Sequence, residues 1–193
     1  MRPFTIGIIS DTHRHLPQGA LAVLRGEHDD RQIAQALDID GDPNATYAKA
    51  PVDLIIHAGD IGGWAPISQD VLNELESIAP VCAVLGNCDV EGYIAGDSYV
   101  SEQMALVERC GLQIAVMHRP EDLTAAIRTA QIAPRVRIHG HTHVPKLERF
   151  NSDALMLCPG SPSKPRGTNP KPTVALLHLA APSHVLRAEI VAL

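Results

Sequence analysis

The 193-residue sequence is poor in aromatic side chains, with two Phe, three Tyr and one Trp, and its apolar runs are short. A membrane-spanning helix needs about 20 consecutive apolar residues, so we expect no span and no membrane partner. Basic residues are not in excess either, since 16 Lys and Arg stand against 22 Asp and Glu, a formal net charge of −6. This charge argues against a protein that binds nucleic acid mainly by neutralising phosphates, and we expect no stable nucleic-acid complex.

Cysteine is scarce, and its spacing forms no Cys-x-x-Cys pair. The four cysteines are Cys82, Cys88, Cys110 and Cys158. A chain of this length buries roughly 70% of the surface that it exposes when unfolded, so a core can form without disulfides. The apolar stretch from Phe4 to Ile9 is too short for a signal peptide. We therefore expect a reduced protein in the cytoplasm.

Histidine, by contrast, is abundant, with ten residues. Histidine is the commonest metal ligand and a frequent general acid or base, so the positions of the ten carry information about function. The remaining composition, 45% hydrophobic and 20% charged, is that of a folded domain and not of a disordered chain. The length fits a single domain over residues 1–193.

The first half of the sequence alternates short apolar runs with a helical pattern. Phe4 to Ile9, Leu54 to Ile56 and Val81 to Leu85 predict strands buried on both faces, as in a parallel sheet covered by helices. Pro66 to Ala79 carries apolar residues at helical spacing. The polar segment at about residues 25–51 is interpreted as an insertion or lid, with a short helix near Gln32 to Leu37.

The second half is rich in predicted hairpins. Three pairs of apolar segments flank turn signals: Met104–Arg109 with Leu112–Met117, Lys146–Phe150 with Ala154–Leu157, and Thr173–Leu179 with His184–Val191. A helix is predicted from about Pro120 to Ile132. Gly160 to Pro172 contains four prolines and predicts a surface loop without regular structure. Two sheets stacked face to face, with helices outside, would reconcile the two halves.

Polar residues follow the predicted strands at their carboxyl ends. The groups are Asp11-Thr12-His13, Gly59-Asp60, Gly86-Asn87-Cys88-Asp89, His118 and Gly140-His141-Thr142-His143. Ligands of open α/β sheets bind beyond these strand ends, so the side chains are expected to converge. Residues two apart on extended backbone point the same way, which predicts that Asp11 pairs with His13 and His141 with His143.

These donors point to metal binding when they are taken together. Each of these short motifs alone is common in ordinary turns, but their joint occurrence at successive strand ends is not. Two carboxylates, one amide oxygen and four imidazoles exceed the needs of one tetrahedral zinc and suit a pair of first-row ions. A bridging carboxylate would hold two such ions ~3.5–4 Å apart, the separation typical of two-metal hydrolytic sites.

In this order the motifs resemble those of the calcineurin-like metallophosphoesterases, and most closely the small bacterial and archaeal phosphodiesterase branch. Cys158-Pro159-Gly160-Ser161, followed by Lys164-Pro165-Arg166-Gly167, is similar to the tail motif of that branch. The resemblance implies an α/β fold, a four-layer αββα sandwich in which two stacked mixed β-sheets are flanked by helices. It also implies hydrolysis of a small phosphoester, foremost a phosphodiester. Whether the protein forms a homo-oligomer stays open.

The resemblance further implies two divalent ions. Asp11, His13 and His143 would hold one ion, and Asn87, His118 and His141 would hold the other, with Asp60 bridging both. A hydroxide between the ions would attack phosphorus. Manganese is the usual ion of this branch, while iron, nickel and zinc are alternatives that the sequence does not separate. The implied catalytic set is Asp60, Asn87, Cys88, Asp89 and Arg119.

Two departures from the family pattern bear on the chemistry. Cys88 stands where larger members have a histidine that can protonate the leaving group. A thiol with a pKa near ~8.5 is a weak donor, which predicts a preference for good leaving groups. Arg119 follows His118 where glycine is usual, and it either clamps a phosphate oxygen or points to solvent.

Two alternatives to a phosphodiesterase remain. One is a non-catalytic protein-binding scaffold of the same fold, as in the retromer subunit of eukaryotes, which the presence of all seven ligands disfavours. The other is a phosphomonoesterase. Its phosphoprotein phosphatase form is disfavoured because the Gly-Asp-x-x-Asp-Arg-Gly motif is absent after Gly59-Asp60. Among the other histidines, His57 is predicted to be a hydrogen-bonded core residue.

Overall fold

A computed structural model describes residues 2–41, 47, 49–62, 65–66, 69–90, 99–101, 103–150 and 154–193. Its helices are α1 (Gln18–Leu24), α2 (Gln69–Glu76) and α3 (Pro120–Ala130), with a short 3-10 helix at Asp30–Gln32. Its strands in the first half are β1 (Phe4–Ile9), β2 (Ile33–Asp38), β3 (Leu54–His57), β4 (Ala65–Pro66), β5 (Val81–Val84), β6 (Asp89–Val90) and β7 (Tyr99–Ser101). Those in the second half are β8 (Ala105–Arg109), β9 (Leu112–Val116), β10 (Val136–Ile138), β11 (Lys146–Phe150), β12 (Ala154–Cys158), β13 (Thr173–Ala180) and β14 (His184–Ala192).

The strands form two large mixed sheets. One has seven strands in the order β2-β14-β13-β1-β3-β5-β7, in which β1, β3, β5 and β7 are parallel and β13, β14 and β2 join antiparallel. The other has five strands in the order β11-β12-β10-β9-β8, with a parallel centre and antiparallel edges. Strands β4 and β6 form a small separate parallel pair.

Three buried apolar clusters define the layers. The largest joins the two sheets, with Ile56 of β3 on one side and Ile114 of β9 on the other. On its outer face the seven-stranded sheet packs against α1 and α2, where Leu21 and Leu72 are buried. On the outer face of the five-stranded sheet, α3 contributes Leu123 to the third cluster. The order is therefore helix, sheet, sheet, helix, which confirms the predicted αββα sandwich.

The structure corrects one element of the polar segment. The helix predicted near Gln32 to Leu37 is wrong, because β2 covers these positions as a strand paired antiparallel with β14. Ile33 and Leu37 are four apart and imitate helical spacing, but the backbone donors and acceptors at the open edge of β14 select a strand. β2 lies three strands away from β1 in the sheet order. The role of the segment as a lid stays a prediction, and residues 42–46 and 48 lie outside the described part.

The other predicted elements agree with the structure closely. All three hairpins form antiparallel pairs at the expected places. The helix after His118 begins at Pro120 as predicted and ends at Ala130, where Gln131 adopts a left-handed conformation. Within the described residues, no helix combines the length and the apolar character needed to cross a membrane. All four cysteines are free.

Candidate metal centre

The polar groups predicted at strand ends lie at one edge of the fold. Hydrogen bonds between the loops fix their positions relative to one another: the backbone N of Asp11 donates to the carbonyl O of Gly59 at 2.9 Å, and that of His13 to Asp60 at 3.0 Å. In the five-stranded sheet, the backbone N of Gly140 donates to the carbonyl O of His118 at 3.0 Å. The loops after β1 and β3, and those after β9 and β10, are thereby joined in pairs.

Four of the predicted ligands form one compact group. We call Asp11, His13, Asp60 and His143 the ligand cluster, because one donor atom of each lies within 4.8 Å of the others. His143 Nε2 is 3.2 Å from Asp11 Oδ1 and 3.4 Å from His13 Nε2. All but His13 are buried. Carboxylate oxygens and imidazole nitrogens at these separations form a donor set for a divalent ion.

A second group adjoins the first through Asp60. His118 Nε2 is 3.4 Å from Asp60 Oδ1, while the other oxygen, Oδ2, is 3.8 Å from His13 Nε2. The rings of His118 and His141 meet edge to face, with 5.2 Å between their centroids. Asp60 therefore lies between two sets of imidazoles. Asn87 is exposed, and its Nδ2 donates to Cys88 Sγ at 3.2 Å.

Two buried histidines are oriented by main-chain carbonyl groups. His118 Nδ1 lies 2.7 Å from the carbonyl O of Ala58, and His143 Nδ1 lies 2.6 Å from that of Lys164. A carbonyl oxygen only accepts, so each Nδ1 carries the proton and donates. Each Nε2 is then unprotonated and directed at the carboxylates, the orientation that metal-binding histidines take.

The donor set leaves buried polar atoms without a partner, which tests its fit to a metal. Asp11 Oδ1 and His118 Nε2 have no hydrogen bond although both are inaccessible to solvent. An unpaired buried polar group is costly, and two carboxylates in one small volume repel each other. A divalent cation bound to these lone pairs would remove both penalties. The residues therefore fit the metal that the motifs imply.

The backbone at the ligands is strained. Asp11, His13, Asp60, His141 and His143 all have positive φ, between 45° and 68°. Such values are uncommon outside glycine, cost of order 1–3 kcal/mol each, and concentrate at functional sites. The extended backbone that we expected for the pairs Asp11–His13 and His141–His143 is wrong. Left-handed turns instead direct His143 to the ligand cluster and His141 to His118.

Two glycines allow the loops to approach the carboxylates. A Cβ on Gly86 would lie 2.1 Å from Asp60 Oδ1, and a Cβ on Gly140 would lie 1.9 Å from Ser10 Oγ and 2.9 Å from Asp11 Oδ2. Side-chain atoms do not occupy such distances. These glycines, which precede Asn87 and His141, are therefore required by packing at the site.

Burial and charges inside the site shift the pKa values of Asp60, His118 and Cys88. Burial alone would raise the pKa of Asp60, but His118 and the backbone N–H of Cys88 outweigh it and hold that pKa well below its usual range. Burial lowers the pKa of His118, yet the nearby Asp60 and Asp11 raise it overall. Burial, followed by the charge of Asp60, raises the pKa of Cys88 to about 11, so its thiol stays protonated at neutral pH.

The structure also places the two remaining predicted residues, Asp89 and Arg119. Asp89 Oδ1 accepts a hydrogen bond from the backbone N of Gly62 at 2.6 Å, and Oδ2 accepts one from that of Gly86 at 2.8 Å. Its carboxylate thus ties the loop after β3 to the loop after β5. Arg119 is exposed and directly precedes α3. The described contacts do not bring its side chain to the ligand cluster.

One part of the site was not predicted. Gly160 to Pro172 has no regular structure, as expected, but its first residues are not at the surface, since Ser161 is fully buried. Ser161 Oγ donates to the carbonyl O of Asp11 at 2.8 Å, and Ser163 Oγ to that of Thr12 at 2.8 Å. The available signal was the tail motif Cys158-Pro159-Gly160-Ser161, and the structure shows that it follows β12, whose carboxyl end lies beside that of β10.

His57, by contrast, is not part of the centre. The backbone N of Gly59 donates to His57 Nδ1 at 3.2 Å, so Nδ1 is unprotonated and Nε2–H donates to Thr12 Oγ1 at 3.0 Å. Both ring nitrogens are satisfied, and burial lowers the pKa of His57 to about 4. The prediction of a hydrogen-bonded core histidine is confirmed.

The sequence profile of the calcineurin-like phosphoesterase superfamily domain matches residues 4–181. The chain belongs to this superfamily. It is also 32% identical over 192 residues to a protein of Methanothermobacter thermautotrophicus named "Probable metallophosphoesterase", which covers 96% of this chain and 91% of that one. A phosphodiesterase of Methanocaldococcus jannaschii is 27% identical over 163 residues, covering 80% of this chain and 82% of the relative.

Two solved structures show the same fold. A structure described as a novel archaeal phosphodiesterase superposes with a TM-score of 0.61 at 26% identity, covering 90% of this chain and 92% of that one. Vacuolar protein sorting 29 from Cryptosporidium parvum superposes with a TM-score of 0.64 at 18% identity, covering 94% and 88%. At that identity the second similarity concerns the fold alone. The predicted small archaeal and bacterial branch is confirmed by the archaeal relatives.

Proposed function

We propose that this metallophosphoesterase is a phosphodiesterase that holds two divalent ions, with manganese as the working ion. The observation that carries the proposal is the position of Asp60, whose two carboxylate oxygens face separate sets of imidazoles, 3.4 Å from His118 and 3.8 Å from His13. This geometry supports a carboxylate shared by two ions. Archaeal relatives named as metallophosphoesterase and phosphodiesterase support the reaction class.

In this proposal the predicted ligands divide between the ions as the motifs implied. Asp11, His13 and His143 would hold one ion; Asn87, His118 and His141 would hold the other; and Asp60 would bridge them. Bound ions would lower the pKa of water and neutralise charge on the phosphoryl oxygens.

Other groups of the chain hold the metal ligands in place and influence which substrates react. Carbonyl groups hold His118 and His143 in the required tautomer, and Asp89 holds two ligand loops together. Asp89 is therefore a positioning residue in this proposal. Cys88 retains its proton but donates it weakly, because burial raises the pKa of its thiol to about 11. Substrates with good leaving groups are expected to be preferred.

The test compares variants of two aspartates, one that follows β3 and one that precedes it. Purified protein is assayed with bis(p-nitrophenyl) phosphate after chelation and after addition of manganese. Asp60→Asn is expected to lower kcat/KM by about a thousandfold or more, since the residue would contact both ions. Asp53→Asn is the matched control, because Asp53 precedes β3 and bonds to Arg2 and to the backbone N of Thr5, away from the centre.

Three results would overturn the proposal. These are full activity in chelated protein, full activity in Asp60→Asn, or no turnover with any divalent ion, the last of which would favour the scaffold function. p-Nitrophenyl phosphate, assayed in parallel, separates phosphodiesterase from phosphomonoesterase activity. Metal analysis of the purified protein tests the number and identity of the ions. The cytoplasmic location stays a prediction.

A further inference from the structure

Two exposed cations are fixed beside the ligand cluster by main-chain bonds to one of its members. Lys164 accepts a hydrogen bond from His143 Nδ1 on its carbonyl O, and its backbone N donates to Ser161 Oγ at 2.9 Å. The backbone N of Arg166 donates to the carbonyl O of His143 at 3.1 Å. Both side chains are exposed, and neither forms an ion pair with any residue that the structure describes.

The chain segments that carry these cations contain no acidic residue, although the whole chain is acidic. No Asp or Glu occurs from residue 154 to residue 188, nor from residue 12 to residue 26, where the exposed Arg14 follows His13. On the opposite side of the centre, Arg119 is followed by Glu121 and Asp122 in the first turn of α3. Positive charge is therefore concentrated on the Lys164 side of the centre.

Some cations elsewhere on the surface form ion pairs with acidic side chains. Arg31 is 2.8 Å from Asp29, and Lys146 is 2.7 Å from Glu148. Lys164 and Arg166 lack such partners within the described residues. The hydrogen bond from His143 Nδ1 to the carbonyl O of Lys164 places Lys164 beside the ligand cluster. Its charge is available to a ligand that is bound there.

A simple phosphodiester carries one negative charge, and that charge would lie on the ions. Resting on the proposed function, we propose that Lys164 and Arg166 bind a second phosphate group of the substrate. The substrate class is then a phosphodiester whose alcohol carries another phosphate, as in a phosphorylated nucleoside or a phosphorylated simple diol. The feature that these substrates share is a second phosphate group, a dianion, which lies a few bonds away from the scissile phosphodiester.

Two substrates that differ only in this group provide the test. Thymidine 5′-(p-nitrophenyl phosphate) is compared with its 3′-phosphorylated form, using protein loaded with manganese. The second phosphate is expected to raise kcat/KM about tenfold, since a charge-assisted hydrogen bond is worth about that much. The gain should shrink as salt is raised from about 0.05 to about 0.5 M, because exposed charges are screened.

Variants assign the gain to the two residues. Lys164→Gln combined with Arg166→Gln should bring the ratio of the two kcat/KM values close to one. Arg128→Gln, an exposed cation near the end of α3, is the matched control and should keep the ratio. Unchanged melting temperatures show that the variants fold. A propane-1,3-diol pair in place of thymidine separates recognition of phosphate alone from recognition of a nucleotide.

A binding measurement keeps this test independent of turnover. Titration calorimetry compares thymidine 3′,5′-bisphosphate with thymidine 5′-monophosphate, and about tenfold tighter binding of the bisphosphate is expected in the wild type only. Equal kcat/KM for both substrates, or a ratio that survives in the double variant, overturns the second-phosphate site and leaves the proposed function standing. If neither substrate is hydrolysed, the proposed function fails, and equal binding of the two nucleotides overturns this site as well.

Discussion

Two clusters of acidic and histidine side chains balance their charges in different ways: the edge cluster lies on the seven-stranded sheet, and the ligand cluster lies in loops that follow strands of both sheets. The edge cluster comprises Asp38, His178, Arg187 and Glu189 on β2, β13 and β14. Its arginine lies 2.6 Å from Glu189 and 3.1 Å from Asp38, and His178 Nδ1 is 3.1 Å from the hydroxyl of Thr5. The ligand cluster has carboxylates and imidazoles but no arginine or lysine pair among the described residues.

The difference shows which cluster is complete by itself. In the edge cluster one guanidinium forms ion pairs with both carboxylates, so the chain supplies its own cation. In the ligand cluster Asp11 Oδ1 has no hydrogen bond, and the nearby His118 Nε2 has none either. Buried polar atoms in folded proteins normally have partners. The ligand cluster therefore fits a cation from outside the chain, whereas the edge cluster pairs its charges within the chain.

The largest expected effect comes from replacing a histidine beside the ligand cluster, compared with replacing the histidine of the edge cluster. His118→Ala should lower manganese-dependent kcat/KM by at least about a thousandfold, since it removes an inferred ligand. His178→Ala should leave that activity unchanged and lower the free energy of unfolding by about 2 kcal/mol, because Glu189 and Thr5 lose a buried partner. Steady-state assays and urea unfolding of both variants check this contrast, which retained activity in His118→Ala would contradict.

A smaller effect is expected from closing the space beside Asp11. Gly140→Ala should lower the free energy of unfolding by about 3 kcal/mol and weaken manganese binding, because its Cβ would meet Ser10, Ala58 and Asp11 within 2.9 Å. Gly19→Ala is the control, since the atom nearest to its Cβ would be the Cβ of Leu193, at 3.3 Å, and alanine favours α1. Urea unfolding and metal titration should separate the two variants. Equal free energies of unfolding would contradict the prediction, because they would show that the loops move to accommodate the added Cβ.

The smallest effect concerns pH and the satisfied histidine, His57. Its pKa is lowered to about 4 by burial, so the unfolded chain takes up the proton first as pH falls below about 6.5. Stability is therefore lost on acidification, by about 1 kcal/mol between pH 7 and pH 5.5 from this group. His57→Gln, unfolded in urea with chelator present, should show a pH dependence that is flatter by this amount. An identical slope in wild type and variant would assign the acid sensitivity to other groups.

Much of the fold followed from local patterns. The apolar runs at Phe4–Ile9 and Leu54–His57 are strands because both faces are buried, and the turn at Cys110-Gly111 joins β8 to β9 as predicted. The pattern failed at residues 33–38, since apolar side chains four apart fit a helix while pairing with β14 required a strand. Edge pairing depends on a distant partner, so the local sequence did not reveal it.

The site was predicted in its residues but not in its geometry. The order of the strand-end motifs was enough to name the four members of the ligand cluster and His118, which the structure brings together. The resemblance to the family implied that His141 and His143 serve different ions, whereas the extended backbone expected from the local pattern wrongly paired them. Positive φ at both positions separates them, and that conformation depends on contacts between loops.

The sequence by itself determined which donors are present and that they follow strand ends, because residue chemistry and hydrophobic runs are local properties. Only the tertiary structure decided that Asp60 lies between two sets of imidazoles, that the loop after β12 supports Asp11, and that Lys164 and Arg166 flank the centre. These relations join segments as far apart as residues 11 and 161. They arise from sheet order and loop packing, which no single stretch of the chain encodes.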